Sequence, residues 1–177
     1  MNTTHHSFVK LLTVATLVLS AGLAQAATAT ATLNVTATVS TNCTISATPV
    51  AFGAYDPVSG GNVTASGTVV VACTKSATGL TVGLNNGANY TTTRNLIGSG
   101  SNTDKLAYTL MQPISGQPTT CPSYGAGTAW TSAATLALSS PTSKASRTYN
   151  VCGQMAAGQD VAVDSGYTDS VTATINF

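Results

Sequence analysis

From residue 27 to residue 39 the chain alternates without a break. Ala27, Ala29, Ala31, Leu33, Val35, Ala37 and Val39 are apolar, and Thr28, Thr30, Thr32, Asn34, Thr36 and Thr38 between them are polar. A period of two over thirteen residues predicts a strand, because successive side chains of an extended chain point to opposite faces. Shorter alternations follow at Leu80-Val82-Leu84, Leu106-Tyr108-Leu110, Leu136-Leu138, Tyr149-Val151, Val161-Val163 and Val171-Ala173-Ile175-Phe177, and a β-branched run from Val69 to Val71 leads into Cys73. Turn chemistry separates them: Asp56-Pro57, Ser59-Gly60-Gly61-Asn62, Asn85-Asn86-Gly87, Gly98-Ser99-Gly100, Pro141 and Ser165-Gly166. No window of helical length carries apolar residues at i, i+3, i+4 and i+7. The pattern therefore predicts an all-β sandwich of six or seven strands forming one domain.

Two segments do not suit a closed sandwich. The first alternation is much longer than the ~5 to 6 residues of an ordinary strand and lies upstream of the first cysteine, as a tail. An uncharged, strand-competent tail without proline invites edge pairing. The last alternation, Val171 to Phe177, runs to the final residue with no strand after it to pair with.

The first 26 residues read as a secretory signal peptide. Lys10 lies in a polar n-region, Leu11 to Leu19 form an apolar h-region, and Ala24-Gln25-Ala26 is an A-x-A cleavage site. The apolar run is far short of the ~18 to 20 residues that a spanning helix needs. Cleavage after Ala26 removes Lys10, His5 and His6, and leaves five basic residues against five acidic ones.

Composition then narrows the chemistry. Charged residues make up 6% of the chain, against roughly 25% in ordinary soluble domains, and there is no glutamate. Thr and Ser fill 32 and 18 positions. A balanced charge gives no support for nucleic-acid binding. Without His or Glu, the processed chain lacks the parts of a Ser-His-Asp triad, a His-based zinc site or the usual carboxylate pair of a glycosidase, so neither an enzyme nor a bound cofactor is expected. Asp56, Asp104, Asp160, Asp164 and Asp169 lie mostly beside Gly, Pro or Ser, where Asp side chains stabilise turns.

Cys43, Cys73, Cys121 and Cys152 form an even set behind an export signal and contain no C-x-x-C pair, which points to disulfides rather than zinc. Four cysteines allow three pairings. The short-loop solution, Cys43 with Cys73 and Cys121 with Cys152, closes two loops of about 30 residues, each contributing roughly 3.6 kcal/mol by loop-closure entropy.

The closing stretch from Tyr149 to Phe177 carries a Tyr149-x-Val151-x-Gly153 strand, an Ala157-Gly158-Gln159 turn, a turn from Gly166 to Asp169, and a final alternation ending in an aromatic residue. With Cys43 followed by Phe52-Gly53-Ala54-Tyr55-Asp56-Pro57, then Leu106-Ala107-Tyr108-Thr109-Leu110 and Trp130, this order resembles the spore coat protein U domain family, found in the pilins of archaic chaperone-usher pili. The resemblance covers essentially the whole processed chain. It implies an incomplete immunoglobulin-like β-sandwich that lacks its last strand and is completed by a donor strand: first from a periplasmic chaperone, then, at an outer-membrane usher, from the N-terminal extension of an identical or sibling subunit. Residues 27–38 would be the donor extension, with Ala29, Ala31, Leu33 and Val35 as its knobs, and 39–177 the domain. Val171, Ala173, Ile175 and Phe177 would line or flank the acceptor groove and meet the chaperone, which would anchor the Phe177 carboxylate with basic residues. The same resemblance implies a homopolymeric pilus at the cell surface, supporting adhesion and biofilm formation. Two other readings keep the tail as the first strand of a monomeric sandwich, or make the chain a secreted binding or adhesin protein in which Trp130, Tyr124 or Tyr90 stacks on a carbohydrate.

Overall fold

The structure, a computed structural model, describes residues 26–177, so all but the last residue of the signal peptide lies outside the described residues. It divides at Ala37. Residues 26–37 form a segment without regular structure, and Thr38–Phe177 form the compact unit.

All described strands pair antiparallel and no helix occurs among the described residues. In chain order they are β1 Cys43–Thr48, β2 Val63–Cys73, β3 Thr81–Leu84, β4 Arg94–Ile97, β5 Lys105–Met111, β6 Leu136–Ala137, β7 Arg147–Met155 and β8 Ala173–Asn176. Five of them make one sheet in the order β1-β2-β7-β5-β4, and three make a second in the order β6-β3-β8. The alternations put Val69 and Val71 of β2, Leu106, Tyr108 and Leu110 of β5, Val82 and Leu84 of β3, and Val151 and Met155 of β7 into one core. Trp130 is fully buried among them, and its indole Nε1 donates to the Val82 carbonyl at 2.8 Å.

β7 is buried on both faces from Val151 to Met155. The core covers one face and the 112–128 loop contributes to the other: Cys152 is joined to Cys121, and the Gln154 carboxamide bonds Ser123, Gly125 and Ala126 of that loop. The second disulfide joins Cys43 to Cys73, which face each other directly in the β1–β2 register with Cα atoms 4.1 Å apart.

Three sequence expectations need correction. The alternation from Ala27 to Val39 forms no strand in the described chain; a strand is defined by its ladder, and this segment has no paired neighbour. Val161-Val163 is not a strand either, because the Ala162 N–H is taken by the Asp104 carboxylate at 2.7 Å instead of by a neighbouring strand. Among the described residues eight strands replace the six or seven expected, since β1 and β4 escaped the hydrophobic pattern. In β4 the reason is chemical. Arg94 and Asn95 are buried, the guanidinium donating to the Leu84, Asn85 and Trp130 carbonyls and the Asn95 amide to Asn89, Thr91 and Thr93.

Candidate functional site: an open groove between two sheet edges

β1 is the edge of the five-stranded sheet and β8 the edge of the three-stranded one, and the two do not pair. Each therefore presents a row of ladder groups without a partner strand. Between the chain leaving β1 and the chain entering β8 lies a groove made of two adjoining cavities.

The first wall is the chain leaving β1. It crosses the inner face of the five-stranded sheet at two glycines. A Cβ on Gly67 of β2 would lie 2.6 Å from the Thr48 carbonyl oxygen and 2.7 Å from that of Pro49, and one on Gly153 of β7 would lie 2.7 Å from both Phe52 Cζ and Val50 Cγ1. Only a residue without a side chain admits so close a crossing. Farther on, the Tyr55 hydroxyl donates to the Ala156 carbonyl at 2.9 Å and accepts from the Gln159 N–H at 2.7 Å. The Asp56 carboxylate caps the following turn by accepting from the N–H groups of Val58 and Ser59 and from the Ser59 hydroxyl, which hold its pKa below the usual carboxylate value, the hydroxyl most of all.

The second wall is the chain entering β8, from Val161 to Ala173. Asp164 accepts from the Ser99 hydroxyl at 2.8 Å, the Ser99 N–H at 2.7 Å, Asn102 Nδ2 at 2.9 Å and the Gly166 N–H at 2.8 Å, and these bonds, led by the Ser99 hydroxyl, lower its pKa to about 2. Ile97 and Thr168 exchange N–H···O bonds of 3.0 Å. Four residues before β8, Asp169 accepts from the Tyr108 hydroxyl at 2.6 Å, the Asn89 N–H at 3.1 Å and the Ser170 N–H at 2.8 Å. Burial, and then the bond to Asp169, push the Tyr108 phenol above its usual pKa, and burial pulls Arg94 below its own. Asp56 and Asp164 thus hold turns, as their sequence neighbours suggested, and Asp164 and Asp169 also tie the second wall to the rest of the fold. Among the described residues no hydrogen bond joins residues 47–57 to residues 161–173.

The floor is the core itself. One cavity, about 340 Å³, is lined from Ala47–Val50 and Phe52 on one side and Asp169–Val171 and Ala173 on the other, over Val69, Leu84, Tyr108, Leu110 and Val151. The other, about 580 Å³, lies between Val50–Tyr55 with Pro57 and Val161–Ser165 with Tyr167, over Leu106 and Met155. An apolar floor between two unpaired strand edges can take one further strand, its backbone bonding an edge and its alternate side chains entering the groove.

Of the residues expected to form the groove, Val171 and Ala173 line it. Ile175 packs half-buried against the core and Phe177, just after β8, is 57% exposed, and neither lines either of these two cavities. Sequence reasoning missed the first wall; Phe52 and Tyr55 appeared only as part of an opening motif. Two signals pointed to it: the isolated glycines at 67 and 153 within strand patterns, which mark a close backbone approach. In the tail, Leu33 and Val35 are each 85% exposed. Trp130 is buried and unavailable for stacking on a ligand.

The sequence profile of the Spore Coat Protein U domain matches residues 29–174. No curated protein matches the chain. Among solved structures, this chain is similar to a chain in the crystal structure of the CsuC-CsuE chaperone-tip adhesion subunit pre-assembly complex from the archaic chaperone-usher Csu pili of Acinetobacter baumannii. That similarity has a TM-score of 0.49 and 18% identity, and it covers 79% of this chain and 40% of that one, so the match spans less than half of the relative's length.

Proposed function

The chain belongs to the Spore Coat Protein U domain family, matched over residues 29–174, and on that premise we propose that it is a structural subunit of a cell-surface pilus assembled by the chaperone-usher route. The observation that carries this reading is the groove: an apolar floor open between the chain leaving β1 and the chain entering β8, beside two strand edges that do not pair, in a chain whose uncharged alternating tail forms no strand of its own.

In this mechanism residues 27–38 of one subunit lie as an added strand in the groove of the next. Ala29, Ala31, Leu33 and Val35 point into it, and Val171 and Ala173 form part of its wall. Ile175 and the exposed Phe177 extend the β8 edge, where a periplasmic chaperone would hold the subunit before an outer-membrane usher hands it on. Leu33 and Val35 supply most of the apolar burial, about 1.5–3 kcal/mol each, while the alanines contribute little beyond shape. Backbone pairing along β8 supplies the rest. Weak net charge suits the arrangement, because subunits meet with little like-charge repulsion. The completed rod supports adhesion and biofilm formation, and no step in its assembly calls on a cofactor.

Deletion of 27–38 tests the reading. The truncated chain, produced with its chaperone, should form the chaperone complex normally and yield no polymer. Polymer formation by the truncated chain would refute donor-strand assembly, and loss of chaperone binding would place the segment in the subunit's own fold.

A further inference from the structure

The two cavities of the groove share three lining residues, Val50, Phe52 and Leu96, which therefore mark the boundary between them. Phe52 is the largest of the three, and it is fixed from two sides. Its ring tip sits over Gly153 in a space that a Cβ would fill, and the ring packs edge-on against Tyr108, with centroids 5.8 Å apart and planes at 61°. Tyr108 is in turn held by Asp169 on the opposite wall. Phe52, Tyr108 and Asp169 thus form a bar from one wall to the other.

We propose that Phe52 is a specificity ridge, which requires a donor strand to carry a small residue where it crosses and lets it carry large ones beside it. The inference rests on the donor-strand reading above and adds a size rule to it. The tail has such a pattern: Leu33 and Val35 are adjacent bulky knobs, flanked on the groove-facing side by Ala31 and Ala37. Ala37 is six residues before Cys43, where the chain enters its own β1, so Ala31 is the small residue that passes over the ridge. Leu33 and Val35 then occupy the larger cavity, of about 580 Å³. Thr30 and Thr32 face away from the ridge and carry no such restriction.

The test uses the full chain expressed with its chaperone and usher, with donor-linked polymer read as a ladder on gels of unheated samples. Ala31→Phe should lower polymer yield roughly tenfold or more, because two rings compete for one space. Phe52→Ala should also assemble poorly, since it empties part of the groove. The double variant should assemble better than either single one, the added ring filling the space vacated by the other. Where Phe52→Ala fails to accumulate as a chaperone complex, Phe52→Leu serves, since it lowers the ridge and keeps an apolar contact with Gly153. Normal assembly of Ala31→Phe would overturn the ridge, as would a double variant no better than its parents, or a rescue by Phe52 substitution of Ala37→Phe and not of Ala31→Phe. Each of those results leaves the donor-strand reading standing if the 27–38 deletion still abolishes polymer, whereas polymer from the deletion refutes both.

Discussion

Replacing Gly67 by alanine places a methyl group on the inner face of β2, where the chain crosses it between Thr48 and Pro49. The new Cβ would lie 2.6 Å from the Thr48 carbonyl oxygen, 2.7 Å from the Pro49 oxygen and 2.8 Å from the Pro49 carbonyl carbon. Non-bonded heavy atoms reach a comfortable separation only near ~3.5 Å, so the crossing must lift by about 0.9 Å. All three obstructing atoms are backbone, and no rotamer change can relieve them. The crossing is also tethered: the Thr48 hydroxyl accepts from the Thr68 N–H at 2.8 Å and lies 2.9 Å from the Thr68 hydroxyl. Overpacking against a backbone that cannot yield costs about 1–3 kcal/mol, which corresponds to a fall in Tm of roughly 2–12 °C for a domain of this size. Thermal unfolding of the assembled protein, followed by far-ultraviolet circular dichroism, measures it. Gly61→Ala is the matched control, because nothing lies within 4 Å of its added Cβ. A Gly67→Ala protein with the Tm of Gly61→Ala would show that the crossing is not confined by β2, and would refute the account of the first wall.

Other consequences are tested more briefly. Replacing Cys43 and Cys73 together by Ala should destabilise the chain by about 3.6 kcal/mol from loop-closure entropy and free the first strand of the groove wall, which unfolding in urea and chaperone capture would both register. Peptide mass spectrometry without reduction should recover Cys43 with Cys73 and Cys121 with Cys152, and a Cys43–Cys152 peptide would contradict the fold. Asp169→Ala leaves the Tyr108 hydroxyl and the Asn89 N–H without their acceptor, at about 1–3 kcal/mol each, and Tyr108→Phe in the same chain should recover on the order of 1 kcal/mol in a double-mutant cycle. Asp164, with a folded pKa of about 2, stabilises the 98–102 turn above the ordinary carboxylate pKa near ~4, and that contribution should fade as pH falls from about 4 toward 2. Nuclear magnetic resonance of the Ser99 amide across that range would follow it, and an unchanged amide signal would show that the bond does not hold the turn.

The strands with one buried face were legible in the sequence, Leu106-Tyr108-Leu110 from alternation and Val69 to Val71 from its β-branched run. The pattern failed wherever something other than side-chain burial set the structure. β4 buries Arg94 and Asn95: the guanidinium is satisfied by the Leu84, Asn85 and Trp130 carbonyls, the last 36 residues away, and the Asn95 amide by the preceding 89–93 turn, so polar contacts and not apolar periodicity set this strand. Val161-Val163 has strand periodicity but loses its ladder to the Asp104 side chain. The groove was half legible: the family resemblance, and not periodicity, pointed to Val171 and Ala173, whereas the opposite wall depends on Gly67 and Gly153, separated from it and from each other in sequence and joined only by the fold. Periodicity marked the tail as strand-competent without showing a neighbour, because alternation reports which side chains share a face and not which backbone completes the ladder.

The measurement that bears most directly on the central claim is an electron cryomicroscopy structure of the assembled filament. The account predicts residues 27–38 of each subunit lying as a strand between residues 47–57 and 161–173 of its neighbour, with Leu33 and Val35 in the larger cavity. A filament whose grooves are empty, or filled by each subunit's own residues 27–38, would contradict it.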